Sequence, residues 1–593
     1  MEHKTSRKRA VVTLAGGATA IIEEYFVCTC CKDGGTGRRV ICHSESLRGI
    51  LPPKTKYGYD IEIEAGYLQY AENKQMLEIR GIFKAAYGIS ITQSQIHELG
   101  IRFLKHMVAN HYMSAPLLSK HFESGCVYHV DATCEAGRGM ELTIMEGWTG
   151  IVLGAWKIPT ENEEIIKRHL LSTVNAFGEP LAFVSDLGNG MMSAISGTIE
   201  ELRLSSRQLV CHMHFLKAVG GSILQDDYKA LRSQFRKLKT LAGLNRFVKE
   251  LGDIIKPQAV AMRDFVEQWQ SSGSLTEPAD YLQSMAVLRA LAQWVILYTK
   301  DSSGEGFPFA LPHVHLFNRC TVGLCSLQPL LLNGSLNEKT IKQAKRLERI
   351  LETPLFSKKL QKTVQGLKET SAAFTELREI MRLEGTDVYK QDKDKMNQLS
   401  HEDVAHLKDQ SSRFRSVISE RIKSGAANAA QLRAYRIILT YFSKYERFLF
   451  NHFVTCNDAS GNETVKLIER SNNIIERHYR DQKHQIRRRT GTKNLGHVYE
   501  HLFPAAAMIV NLKNPIYQQT ILQNKSRYGF AELFSSIDCS RGYLDTPMFQ
   551  DDFELIGGRL PKADKRIVGK HSFTEMISSL AIEFCNSLKL KYV

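Results

Sequence analysis

Three carboxylates in this chain stand where apolar runs end and chemistry could begin. Asp131 closes the run "YHVD" within "GCVYHVDATC", Asp186 closes "LAFVSD", and each precedes a Gly-containing loop. The third, Glu476, lies in "RSNNIIERHYRDQKHQIRRRTG", where seven Lys or Arg between Arg477 and Lys493 face the single acid Asp481. Two aspartates held side by side on neighbouring strands would repel, and a divalent cation bound through oxygen relieves that repulsion. Taken singly, either aspartate reads as well as a cap on the turn that follows it.

The basic segment predicts a helix capped by Ser471 or Asn472 at its start and by Gly491 at its end. At 3.6 residues per turn, Glu476, Arg480, Lys483 and Arg487 share one face, while Ile475 and Tyr479 share another suited to packing on a sheet. Arg477, Arg480, Lys483, Arg487, Arg488, Arg489 and Lys493 together form a ladder able to track a phosphate backbone. A solvated helix with a Glu476–Arg480 pair is the plainer reading, but it leaves the excess of cations unexplained.

Those acids need elements to carry them. Residues 125–215 alternate short β-branched and aromatic runs with two amphipathic stretches, in the order β-β-β-α-β-α-β, which describes an α/β domain with a mixed five-stranded sheet. In this reading "RQLVCHMHF" is the last strand. From about 220 to 464 strand signals fade into charged amphipathic segments, which reads as a large all-helical insertion. Upstream, "NKQMLEIRGIFKAAYG" puts Met76, Ile79, Phe83 and Ala86 on one helical face and Gly88 breaks it. A second helix then starts at Thr92 with Ile96, Leu99 and Phe103 inward, the outline of a helix-turn-helix or of any αα-hairpin.

The organisation expected is a basic N-terminus over 1–45, a helical DNA-binding domain over 46–118 and a first catalytic part over 119–219. The insertion follows over 220–464, then a second catalytic part with the Glu476 helix over 465–530 and a C-terminal region over 531–593. Within the N-terminus, Cys28, Cys31, Cys42 and His43 offer ligands for a structural zinc knuckle, with Cys30 a spare. Ordinary free thiols are the alternative.

The bulk numbers bound the class. A chain of 593 residues with formal net charge +15 favours a polyanionic partner, nucleic acid first and an anionic membrane surface second. Twelve cysteines are too sparse for a disulfide scaffold of this size and suit a reducing, cytoplasmic or nuclear setting. The first 22 residues have a basic front and a mildly apolar middle, but Gly and Thr dilute it and "EEYFVCTCC" follows, which reads against a secretory leader. No run of about 18 apolar residues predicts a membrane span.

The pieces "YHVDATCE", "LAFVSDLGNG" and "SNNIIERHYRDQKHQIRRRTG" resemble the DDE-type DNA transposases of insertion sequences, whose catalytic domain is RNase H-like. Cys211 and His214 in "CHMH" resemble the C-x-x-H that follows the second aspartate in Mutator-like elements, where a helical insertion also interrupts the fold. The resemblance implies that Asp131, Asp186 and Glu476 hold two Mg²⁺ (or Mn²⁺) ions about 4 Å apart for in-line phosphoryl transfer. It implies double-stranded DNA as partner, both the terminal inverted repeats of the element and its target, and a homodimer or larger assembly on that DNA. Cys211 and His214 would support the active site, although a buried thiol and a satisfied histidine fit as well. Two rivals stay open: a domesticated, non-catalytic DNA-binding protein, which a lost acid would mark, and another RNase H-like nuclease of simpler architecture.

Overall fold

A computed structural model describes the chain from residue 1 to 541, apart from residues 33–37, 43, 53–54, 136–137, 272–279, 303–304, 333–336, 384–400, 458–461 and 502. Most of the C-terminal region expected over 531–593, and His43 of the expected zinc set, lie outside the described residues. The chain forms two compact units. One comprises Met1–Leu209, Val454–Ile468 and the chain from Asn472 on; the other comprises Val210–Phe453 with Glu469–Ser471.

The first unit opens with strands. β1 (Glu2–Thr13) and β2 (Gly17–Lys32) pair antiparallel from Glu2↔Val27 to Thr13↔Gly17, and β3 (Arg39–Cys42) adds to β2 with Phe26 opposite Cys42. The segment with a leader-like composition therefore forms β1, the turn closed by Gly17 at φ 57° and the start of β2. Then come α1 (Glu45–Ile50), α2 (Tyr59–Gly66), α3 (Met76–Tyr87) and α4 (Gln93–Met113). α3 ends at Gly88 in the left-handed region. Thr92 caps α4 by accepting from Gln95 N, with the Gln95 side chain returning to the cap, and Ile96, Leu99 and Phe103 are buried as the spacing predicts.

Ala86 is exposed, so the inward face of α3 rests on Ile79 and Phe83. Beyond its first turns α4 is a core helix: Phe103, Leu104, Met107 and Val108 join the main hydrophobic cluster, leaving Gln93, Ser94, His97 and Glu98 exposed at its start. α2 crosses α4 so closely that a Cβ on Gly66 would lie 2.1 Å from Phe103, and only glycine fits there.

After α5 (Ala115–His121) comes the sheet that positions the acids. β4 (Val127–Glu135), β5 (Arg138–Glu146) and β6 (Val152–Ile158) form an antiparallel meander; α6 (Glu163–Phe177), β7 (Ala182–Ser185), α7 (Asn189–Leu202) and β8 (Arg207–Val210) follow. The strand order is β6-β5-β4-β7-β8, with β7 parallel to β4, so the expected mixed five-stranded sheet is present. Both faces are covered: every residue of β6 and β7 is buried, which is why these strands read as continuous apolar runs. α6 buries Ile166, Leu170, Val174 and Phe177 at helical spacing, starting from an Asn162 cap and stopping at Gly178. The edge strand β6 is shielded by Asn511, whose amide exchanges two 2.8 Å hydrogen bonds with the backbone of Val152.

Two short strands, β9 (Phe453–Asn457) and β10 (Glu463–Leu467), pair as a hairpin just before the basic helix. Val454 and Ile468 there pack with Val127, Ala182, Val184 and Leu209.

Among its described residues the second unit is helical. It runs from the long helix His212–Leu238 to Ala429–Tyr445, with apolar stripes such as Leu360, Val364, Leu367, Phe374 and Leu377 buried at spacings of three, four and seven. The helical body therefore begins about ten residues earlier than the sequence suggests. The chain re-enters it at Arg470, a buried guanidinium that donates to the Met381 carbonyl at 2.9 Å.

Candidate functional site

The register of the parallel pair fixes the first relationship. Val127↔Ala182 through Val130↔Ser185 are partners, so Asp131 and Asp186 are the next residues on the two adjacent strands. Parallel neighbours stand ~4.8 Å apart at the backbone. Asp131 still lies within β4 and is 8% exposed, its Oδ1 accepting from the amide of Ala132 at 2.8 Å; Asp186 is the first residue past β7 and half-buried.

The helix Asn473–Thr490 carries Glu476 in its first turn. Its apolar face, Ile475, Tyr479 and Ile486, is buried, and Gly491 closes it in the left-handed region at φ 70°, as the sequence predicts. Its start differs. Asn472 makes no side-chain cap; the amide instead donates to the Val130 carbonyl at 3.1 Å and accepts from Nδ1 of His129 at 2.9 Å. Asn472 is fully buried, so its amide finds its hydrogen-bond partners in the sheet rather than in solvent. One turn past Glu476, the Tyr479 hydroxyl donates to the Asp131 carbonyl at 2.8 Å. Further on, Lys483 reaches Thr133 at 3.4 Å and the Glu135 carboxylate at 3.0 Å. The helix thus runs along β4, its first turn beside the strand segment that holds Asp131.

The cations divide by surroundings. Arg477, Arg480, Arg488 and Lys493 are exposed, and among the described residues Arg480 pairs with Asp481, at 3.9 Å. Lys483 and Arg487 are half-buried, the former occupied by Glu135. Arg489 lies over the ring of Tyr70 at 4.7 Å, and burial lowers its pKa.

Two further acids were hidden in the sequence. Glu141 on β5, opposite Thr133, is 2% exposed and accepts from the Gln482 amide at 2.8 Å. Burial raises its carboxyl to about 7 against the opposing hydrogen bond of Gln482. The signal available was an acid at an inward position of a strand covered on both faces. Glu161, just before α6, has its carboxyl raised by burial and then by the charge of Asp186. Nothing in its loop sequence marks it. His129 is pushed down to about 4 by burial, so the neutral ring donates its Nδ1 proton to Asn472.

The "CHMH" run is not a strand. β8 stops at Val210, Cys211 is the N-cap residue of the helix that follows, and His212 and His214 lie in its first turn. The burial of His212, Met213, Phe215, Leu216 and Val219 has helical period, which the short window had hidden. Cys211 is buried, and its sulfur lies within 4.8 Å of a His214 ring nitrogen.

At the N-terminus the clustered thiols are Cys28, Cys30 and Cys31, whose sulfurs lie within 4.8 Å of one another, with Cys28 and Cys30 3.3 Å apart. Cys30 therefore takes a place in the cluster; Cys42 sits on β3 opposite Phe26 and is not part of it. Hydrogen bonds from the Cys31 and Cys30 thiols lower Cys28 to about 7, while hydrogen bonding to Cys28 and then to Cys30 raises Cys31 to about 11. Three thiols of this kind are donors for a soft or borderline cation.

No protein-family model matches the chain, and no curated protein matches it. Among solved structures it is similar to the "Drosophila P element transposase strand transfer complex", at 12% identity and TM-score 0.28, over 82% of this chain and 92% of that one. A TM-score this low does not establish a shared fold.

Proposed function

We propose that the chain is a DDE-type transposase that cuts DNA at the ends of its element and joins the 3′ ends to a target by metal-dependent phosphoryl transfer. The observation that carries this reading is the in-register placement of Asp131 and Asp186, beside a helix fastened to the same strand by Asn472 and Tyr479 and carrying Glu476. The mixed sheet, with an antiparallel meander leading into parallel strands, supports an RNase H-like catalytic domain.

The donors suit hard divalent cations. They are carboxylate oxygens, and the charge of Asp186 already acts on the nearby Glu161 carboxyl. Asp131, Asp186 and Glu476 would hold Mg²⁺, which when bound polarises the phosphoryl oxygen and acidifies the attacking water. The protein's own contribution is placement. Tyr479 and Asn472 set the helix on β4, and the exposed Arg477, Arg480, Arg488 and Lys493 would meet DNA phosphates, with Lys483, Arg487 and Arg489 behind them. The α3–α4 pair is the proposed helix-turn-helix, its exposed Gln93, Ser94 and His97 at the start of α4 being the residues able to meet a groove.

The test is cleavage and strand transfer by purified protein on duplexes taken from the DNA flanking its coding sequence, with Mg²⁺ or Mn²⁺. Asp131→Ala, Asp186→Ala and Glu476→Ala should each abolish cleavage and leave duplex binding within a few-fold. Normal cutting by Glu476→Ala would remove the third ligand from the scheme. A wild-type protein that binds but never cuts, under either metal, would favour a non-catalytic DNA-binding role.

A further inference from the structure

A second basic site lies far along the sequence from the Glu476 helix. Between β1 and the segment running from α1 to Tyr59 there is an open groove of about 940 Å³. Lys4, Arg7, Lys8, Arg9, Arg48 and Lys56 line it, and the acids it contains are Glu23 and Asp538. Both acids are already partnered. Glu23 takes the Arg9 guanidinium at 2.7 Å and the Tyr25 hydroxyl at 2.6 Å, and Asp538 takes the Tyr59 hydroxyl at 2.7 Å and lies 3.3 Å from His106. The remaining five cations are exposed. Arg7 and Lys56 rest over the rings of Tyr25 and Tyr57, and Lys4, Lys8 and Arg48 make no ion pair among the described residues.

Such a surplus of positive charge on a concave wall is costly to leave unscreened and focuses the field into the groove. The shape of the charge selects the occupant. Lys4 and Lys8 are separated by roughly 13 Å of strand at ~3.3 Å per residue, and Arg48 and Lys56 lie on the other segments that line the groove. That spread is too wide for one phosphate and suits a chain of them. A lipid surface would meet a flat or convex face, and these cations line a cavity.

We propose that this groove binds the phosphate backbone of duplex DNA at a place separate from the Glu476 helix. Choosing DNA as the polyanion rests on the function proposed above; the phosphate chemistry does not. Binding there would be sequence-independent and electrostatic, positioning DNA rather than reading it.

The experiment compares the full-length protein with a Lys4→Gln/Lys8→Gln/Arg48→Gln variant on a 30-base-pair duplex, by the slope of log affinity against log salt. Each phosphate that the variant no longer neutralises should flatten the slope by about 0.9, so the slope should fall by about 2 to 3 and the affinity by roughly a hundred- to a thousand-fold near 0.1 M salt, one decade below a ~1 M reference. A Lys4→Arg/Lys8→Arg variant should keep the wild-type slope, and circular dichroism melts should coincide for all three proteins. An unchanged slope in the Gln variant overturns the proposal. So does binding of inorganic tripolyphosphate, or of vesicles containing phosphatidylserine, that the Gln variant loses while its duplex slope stays intact. Cleavage is scored separately. Wild-type protein that cuts DNA while the variant keeps its slope removes the groove and leaves the transposase reading. A slope loss in a protein that never cuts does the reverse.

Discussion

The hydroxyl of Tyr479 donates to the backbone carbonyl of Asp131 at 2.8 Å, joining the helix that carries Glu476 to the strand that carries the first aspartate. The same hydroxyl lies 3.4 Å from the Glu141 carbonyl, so one phenol spans the β4–β5 pair. Tyr479→Phe keeps the ring's packing and removes only this bridge. It should cost ~1–2 kcal/mol in denaturant unfolding, the usual range for a buried hydrogen bond. Under the proposed function, cleavage should fall more than duplex binding, because the helix loses its fixed position beside Asp131. Equal losses in both would assign Tyr479 to stability alone.

Asn472 separates a capping role from a bridging one. Its amide spans His129 and the Val130 carbonyl and caps nothing. Asn472→Ala should cost ~2–3 kcal/mol by stranding a buried donor and acceptor. Asn472→Ser, a good helix cap, should not recover that loss, because a hydroxyl cannot reach both groups. Recovery by Ser in a thermal melt would mean that the helix start, not the sheet, is what Asn472 supports.

Asp131 and Asp186 are legible because strands buried on both faces read as unbroken apolar runs, and an acid ending such a run stands out. The Glu476 helix is legible from its period and its Gly491 stop. Asn472 looks like a cap in the sequence because local propensity cannot see the buried groups of a strand more than 340 residues away. The "CHMH" run fits period two as well as period 3.6 over so few residues, and only the longer burial pattern from His212 to Val219 decides it. The five-residue strands β9 and β10 carry too little pattern to rise above their surroundings. Glu141 and Glu161 matter only through neighbours that folding brings to them.

Glu141 gives the site region a pH signature. Its ordinary value of 4.5 rises to about 7 in the fold, mainly through burial, so the neutral acid is the form the fold favours. That contribution is complete below about 4.5 and is lost as pH rises to about 7. At ~1.4 kcal/mol per pH decade between those values, the loss is on the order of 3 kcal/mol. Glu141→Gln should flatten this part of the stability profile and melt higher than wild type at pH 8. A variant that parallels the wild type between pH 4.5 and 7 would show that the carboxyl is ionised in the fold throughout.

His106 works in the opposite sense in the N-terminal core. Burial pushes its ring toward neutrality, but the Glu62 carboxylate at 2.6 Å and Asp538 at 3.3 Å outweigh that and raise it to about 9. A histidine held above its ordinary 6.5 contributes stability that is full below about 6.5 and is lost as pH rises through about 9. The melting temperature should therefore fall between pH 6.5 and 9 with a slope set by one proton. His106→Gln should remove that slope and lower stability at pH 6, where it leaves Glu62 and Asp538 facing a neutral side chain. Because Asp538 also lies in the basic groove, the same variant should weaken duplex binding only slightly, as the groove's own cations are untouched. A pH slope that survives in His106→Gln would place the titrating group elsewhere in the core.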